Sequence, residues 1–131
     1  MNQIGDYMST TLYSTTPDTL AHEAINKIYE NKIGALLVEE NGNYTGMFTK
    51  TDWMALVLKG ECDPKSIKVS TIMTDLKHTI GINQTIPEAS AIIEENKIRH
   101  LPVEDNGKIV GMFSVKDLEK YYLELHKKTD F

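Results

Sequence analysis

Gly111-Met112-Phe113-Ser114-Val115-Lys116-Asp117 is written a second time in the chain, as Gly46-Met47-Phe48-Thr49-Lys50-Thr51-Asp52. The two stretches lie 65 residues apart. Each reads as an apolar strand running into a hydroxyl residue, with an aspartate three positions later. That spacing puts the hydroxyl at a helix start and the aspartate in the first turn.

The agreement extends outward from this phrase. Glu30-Asn31-Lys32-Ile33 recurs as Glu95-Asn96-Lys97-Ile98, and Asn41-Gly42 as Asn106-Gly107. Leu36, Val38 and Glu39 recur as Leu101, Val103 and Glu104, and Met8 matches Met73. The register holds without a gap from Ala24 to Asp52. One inserted residue before it brings Thr19-Leu20 onto Thr85-Ile86. Chance does not produce this, so the chain is a tandem duplication. Two copies are too few for a solenoid, and a pair packed about a pseudo-twofold axis is the expected way to bury both apolar faces.

The local pattern gives each copy the order strand, helix, strand, strand, helix. In the first, Leu12 to Ser14 predicts a short strand, and Asp18 is placed to cap a helix from Leu20 to Asn31. That helix carries Ala21, Ala24, Ile25 and Ile28 on one face. Ala35 to Glu39 reads as a buried strand. Asn41-Gly42 turns the chain, because both turn positions need positive φ, and Tyr44 to Phe48 returns. Thr51 to Leu58 is an unusually apolar second helix. Lys59 to Pro64 breaks the chain between the copies. In the second copy a helix from Thr85 to Asn96 has Pro87 in its first turn. His100 to Glu104 is a strand whose Pro102 predicts an edge or an irregularity. The last helix runs from Val115 to about Lys127. We divide the chain as residues 1–60, first repeat; 61–68, linker; and 69–131, second repeat. Residues 1–11 are polar, with Tyr7-Met8 as their anchor.

Composition narrows the function classes. A net charge of −5 disfavours a nucleic-acid partner held through its phosphates. Cys62 is the only cysteine, which excludes an internal disulfide and fits a reducing compartment. The start, Met1 to Asp6, lacks the basic and apolar runs of a signal peptide. Apolar runs such as Ala35-Leu36-Leu37-Val38 are far too short to span a bilayer. The expectation is a cytoplasmic protein with no membrane contact. His22, His78 and His126 show no metal-ligand spacing and read as surface residues. No nucleophile–base pair, phosphate loop or Cys/His cluster supports catalysis.

The unit length and order, with Ile98-Arg99-His100-Leu101-Pro102-Val103-Glu104-Asp105-Asn106-Gly107-Lys108-Ile109-Val110-Gly111, resemble the cystathionine-beta-synthase (CBS) domain. Two in tandem form the pair called a Bateman module. The resemblance covers about Tyr7 to Leu125. It implies an α+β fold of two β-α-β-β-α repeats. The first copy departs from the pattern at Gly34-Ala35-Leu36-Leu37, where the usual proline and basic residues are missing.

The resemblance also implies a regulatory module that binds an adenosine-containing nucleotide in clefts between the repeats. AMP, ADP or ATP are the first candidates, with S-adenosylmethionine or NAD behind them, and no cofactor is obligatory. The family's ligand motif falls on Thr49 and Asp52, and on Ser114 and Asp117. A carboxylate has two acceptor oxygens that suit a ribose diol, and helix-start amides suit a phosphate. The family's basic pair falls on Arg99 and His100, whereas Gly34 and Ala35 cannot supply it, so the two sites are expected to be unequal. The same Ser/Thr-x-x-Asp pattern is also a capping box. That keeps open the alternative of a ligand-free structural or protein-interaction module. The apolar last helices imply a homodimer, and an enzyme or transporter is the expected listener.

Overall fold

A computed structural model describes residues 3–129 of the chain, with side chains through residue 127. The described residues form two compact units. One runs from Tyr13 to Leu76, and the other joins the residues up to Leu12 to those from Lys77 onward.

The first-repeat unit holds a four-stranded sheet in the order β1-β2-β3-β4. These strands are Ser14–Thr15 (β1), Ala35–Glu40 (β2), Asn43–Thr49 (β3) and Thr74–Asp75 (β4). β1 runs parallel to β2, and the β2–β3 and β3–β4 pairs are antiparallel. The hairpin turns at Asn41 (φ 52°) and Gly42 (φ 82°), as the Asn-Gly pair requires. Helices α1 (Ala21–Glu30) and α2 (Lys50–Lys59) accompany the sheet, and a one-turn helix α3 (Val69–Ile72) precedes β4. Ala24, Ile28, Leu36, Val38, Phe48 and Val69 form the core.

The second-repeat unit has a three-stranded sheet of Ile80–Gly81 (β5), His100–Asp105 (β6) and Lys108–Ser114 (β7), in that order. Its helices are α4 (Ile86–Asn96) and α5 (Val115–Thr129). Ile4, Ile80, Ile86, Leu101, Val103 and Phe113 lie in its core.

Each unit borrows a strap from the residues that precede the other repeat. In the first-repeat unit the strap is the α3–β4 segment, with Thr74 paired to Met47 and Asp75 to Gly46. In the second it is the N-terminal segment, where Ser9 and Met112 exchange two backbone hydrogen bonds of 2.9 Å. Ile4 and Gly5 donate to the carbonyls of Gln84 and Ile82. Ile4 is fully buried, so the polar-looking N-terminus carries a core residue.

The straps explain the glycine that opens the repeated phrase. A Cβ on Gly46 would lie 2.7 Å from Met73 Sδ and 2.9 Å from the Thr74 carbonyl oxygen. On Gly111 it would meet Met8, with the Ser9 carbonyl oxygen at 2.9 Å. A thioether can swing aside, but a paired backbone carbonyl cannot. Gly111→Ala is therefore expected to cost about 1–3 kcal/mol by overpacking, read as a lowered midpoint in denaturant unfolding.

Two local expectations are corrected. Asp18 does not cap α1. Leu20 occupies that position with no side-chain cap bond, and Asp18 pairs with Lys68 at 3.3 Å. The first helical amides are satisfied instead by linker carbonyls, Ala21 N–H to Ile67 O and His22 N–H to Pro64 O. This contact also takes His22 off the surface, leaving it half-buried with its Nδ1 buried and unbonded. Of the two expectations for Pro102, the irregularity holds and the edge does not, because β6 is the central strand. Its counterpart Leu37 donates its N–H to the Tyr13 carbonyl beside β1. Proline has no N–H to give. Pairing therefore begins one residue later in the second repeat, at Ile80↔Val103, where the first repeat already pairs Ser14↔Leu37.

Candidate functional site

The strand-to-helix junction is built alike in both repeats. Thr49 ends β3, opposite Ala35, in extended backbone, and caps α2. The Thr49 N–H donates to Asp52 Oδ2 at 2.8 Å, and the Thr49 hydroxyl donates to the same oxygen at 3.1 Å. The Asp52 N–H donates back to Thr49 Oγ1 at 3.2 Å. In the second repeat Ser114 N–H and Oγ donate to Asp117 Oδ2 at 2.8 and 3.2 Å. The capping reading is therefore correct. It does not compete with ligand binding, because both cap bonds fall on one carboxylate oxygen. Oδ1 stays outside them, with lone pairs for a hydroxyl donor.

The surroundings of the two aspartates differ. His100 opens β6 directly opposite Ser114, and the Arg99 carbonyl accepts from the Val115 N–H at 3.0 Å. Arg99, His100, Ser114 and Asp117 are thus brought to one end of the second-repeat hairpin. Arg99 is exposed and His100 is half-buried. At the matching place in the first repeat, Gly34 and Ala35 flank Thr49 without a charge.

The first repeat has a cavity of about 360 Å³ at Asp52, between α2 and the strap. Ala55 and Leu56 of α2, Ile67 just before the strap and Ile72 within it give it apolar walls. Thr71 adds a hydroxyl and Cys62 a thiol, and Lys59 and Glu61 add charges of opposite sign. This is the size and mixture of a small-ligand site. A second depression, about 390 Å³, lies between β1 and α1. Hydroxyls and charges such as Ser14, Thr16, Thr19, Glu23 and Lys27 line it. Ala24 is its one aliphatic side chain, so it offers no face for a ring.

Reading residues 61–68 as a linker concealed Ile67. The signal was there, since Ile67, Val69 and Ile72 are apolar residues spaced to enter, line and leave a helical turn.

Burial raises the pKa of Asp52 above the usual aspartate value, and the two bonds from Thr49 offset this only in part. The folded state therefore holds a proton where the unfolded chain has already lost it. Acidification through that interval relieves the buried charge. The stability of the wild type relative to Asp52→Asn is expected to rise as pH falls from neutrality toward the ordinary aspartate pKa. Paired urea titrations across pH 4–7 check it. A difference that stays flat or shrinks on acidification contradicts the burial of this charge.

Among the described residues no group of His, Cys, Asp and Glu could hold a metal ion, and no helix is long and apolar enough to cross a membrane.

The comparisons with known proteins agree with this architecture. The CBS domain profile matches residues 4–59 and again 69–124. The chain is 28% identical over 122 residues to the CBS domain-containing protein CBSX3, mitochondrial, of Arabidopsis thaliana. That match takes in 89% of this chain but only 59% of the relative's length. A putative signal-transduction protein with CBS domains from Burkholderia ambifaria MC40-6 superimposes with a TM-score of 0.84. It shares 34% identity, over 88% of this chain and 85% of that one. CBSX2, in complex with AMP, has the same fold with a TM-score of 0.80 and 24% identity, over 95% and 98% of the two chains. This chain belongs to the CBS-domain family and carries the domain twice, in tandem.

Proposed function

We propose that this tandem CBS protein is a non-enzymatic sensor that binds an adenosine nucleotide at Asp52 and signals to a partner protein. The observation that carries the reading is the cavity at Asp52. Asp52, which has one carboxylate oxygen outside the helix cap, lines a cavity of about 360 Å³ together with apolar side chains. In this arrangement the ribose hydroxyls donate to Asp52, the base lies against Leu56, Ile67 and Ile72, and Lys59 draws the phosphate. Ser114 and Asp117, with Arg99 and His100, form the matching constellation of the second repeat. The AMP complex of CBSX2 supports the ligand class only at the level of a shared fold.

Thr71 and Ile72 belong to the strap and Ile67 lies just before it, so a ligand here touches the segment that joins the two repeats. Binding becomes a signal only if the ligand prefers one strap arrangement over another. Thermal unfolding with and without AMP, ADP, ATP, NAD and S-adenosylmethionine tests the reading. A ligand at about 100 times its dissociation constant adds roughly 2.7 kcal/mol, which should raise the midpoint on the order of 5–15 °C. No shift with any of them contradicts nucleotide sensing.

A protein-interaction role has its own support. Met54, Val57 and Leu58 of α2 are exposed, as are Tyr122 and Leu123 of α5. Val57 and Leu58 align with Tyr122 and Leu123 across the duplication, so both repeats leave the same helical face uncovered. We assign this face to a homodimer. Leu58→Glu with Leu123→Glu should shift light-scattering mass from two chains to one. A mass of one chain in the wild type contradicts the assignment.

A further inference from the structure

The duplication allows the Asp52 cavity to be carried onto the second repeat residue by residue. Met73 on Gly46 and Met8 on Gly111 fix the register of the two straps at 65 residues. Asp52 then corresponds to Asp117, Leu56 to Tyr121, Lys59 to Glu124, and Ile72 to Tyr7. Leu56 and Tyr121 are each 7% exposed, as equivalent positions should be. The second-repeat residues touch one another. The Tyr7 and Tyr121 rings meet edge to face at 5.3 Å, a favoured aromatic geometry, and the Tyr7 hydroxyl donates to Glu124 Oε2 at 2.9 Å.

We infer that Tyr7 is a tethered plug in the second repeat's ligand cavity, so that each chain presents one open adenosine site, at Asp52. Two phenol rings stand where the first repeat has the Leu56 and Ile72 side chains. A carboxylate stands where it has the Lys59 ammonium. The plug occupies the space of a planar base, and Glu124 is engaged by the Tyr7 hydroxyl where Lys59 is left to a ligand. A strap that carries Tyr7 away would open the second site, which makes the N-terminal segment a competitor of the ligand.

The identity of the ligand rests on the proposed function, whereas the plug does not, and the experiment separates them. Calorimetric titration with AMP should give one site per wild-type chain, weakened about 10- to 150-fold by Asp52→Ala. Tyr7→Ile with Glu124→Lys installs the first-repeat residues in the second repeat and should raise the count to two. Adding Asp117→Ala should return it to one. The reciprocal Ile72→Tyr with Lys59→Glu should remove the Asp52 site. Independently of any nucleotide, p-cresol should raise the unfolding midpoint of Tyr7→Ala and leave the wild type unmoved, by refilling the vacated ring site. Two AMP per wild-type chain, or no p-cresol effect on folded Tyr7→Ala, would overturn the plug. AMP binding to none of the proteins, with the p-cresol effect present, would sink the nucleotide reading and leave the plug standing.

Discussion

Asp52→Ala is expected to weaken AMP binding roughly 10- to 150-fold, which corresponds to about 1.5–3 kcal/mol of charge-assisted hydrogen bonding. The carboxylate does two jobs through different oxygens. Oδ2 takes both bonds from Thr49 and closes the helix cap, whereas Oδ1 is the acceptor available to a ribose. Alanine removes both, so part of any loss could come from the cap. Thr49→Ala separates the contributions. It deletes the hydroxyl that bonds Asp52 and should cost on the order of 1 kcal/mol of stability while leaving the carboxylate in place. A large affinity loss in Asp52→Ala with a small one in Thr49→Ala marks direct contact. The acid sensitivity should also be unusual. Since burial lifts the Asp52 pKa, AMP affinity should begin to fall on acidification above the ordinary aspartate range, as the acceptor becomes protonated.

Ile4→Ala is expected to destabilise the protein by about 2–5 kcal/mol, a large share of the 5–15 kcal/mol typical of a folded domain. Ile4 has no exposed surface and packs with Ile80, Ile86 and Phe113, residues that lie far along the sequence. Truncating its side chain loses the transfer free energy and leaves a cavity that the surrounding strands fill only in part. The 3-10 turn at Ile4–Asp6 holds the side chain in place, and the backbone bonds to Gln84 and Ile82 prevent its collapse outward. Urea unfolding of Ile4→Ala should show a lowered midpoint. A midpoint like that of the wild type would mean that the N-terminal strap is dispensable.

The hairpins, the helix faces and the capped aspartates were legible in the sequence because each is set by contacts within a few residues. Asn41-Gly42 can turn in few ways, and Ala24 and Ile28 share a face by helical spacing alone. The straps were not legible. Ile4 sits among polar residues with no period around it, and its burial depends on a sheet more than 70 residues away. Ile67 was hidden for the same reason inside the stretch read as a linker, and Ile72 was assigned to the second repeat although it packs in the first-repeat unit. Pro102 left an edge and an irregularity both open, of which the structure shows the second, because a proline reports only its own missing N–H. It cannot say that the strand on that side will simply begin one residue later. The motif aspartates were found from the repeated phrase, and so was the unequal charge at Arg99 and His100 against Gly34 and Ala35, but the aromatic side of the difference was not. That difference lies in Tyr7, Tyr121 and Glu124, whose counterparts could be aligned only once the straps were in place.

The central claim is that an adenosine nucleotide occupies the cavity at Asp52. Its most direct test is a titration of the isotope-labelled protein with AMP, followed by amide chemical shifts. The account predicts saturable shifts concentrated at Asp52, Ala55, Leu56 and the stretch from Ile67 to Ile72, which in Asp52→Ala need about 10- to 150-fold more AMP to saturate. Shifts centred elsewhere, or a spectrum unmoved by millimolar AMP, would contradict it.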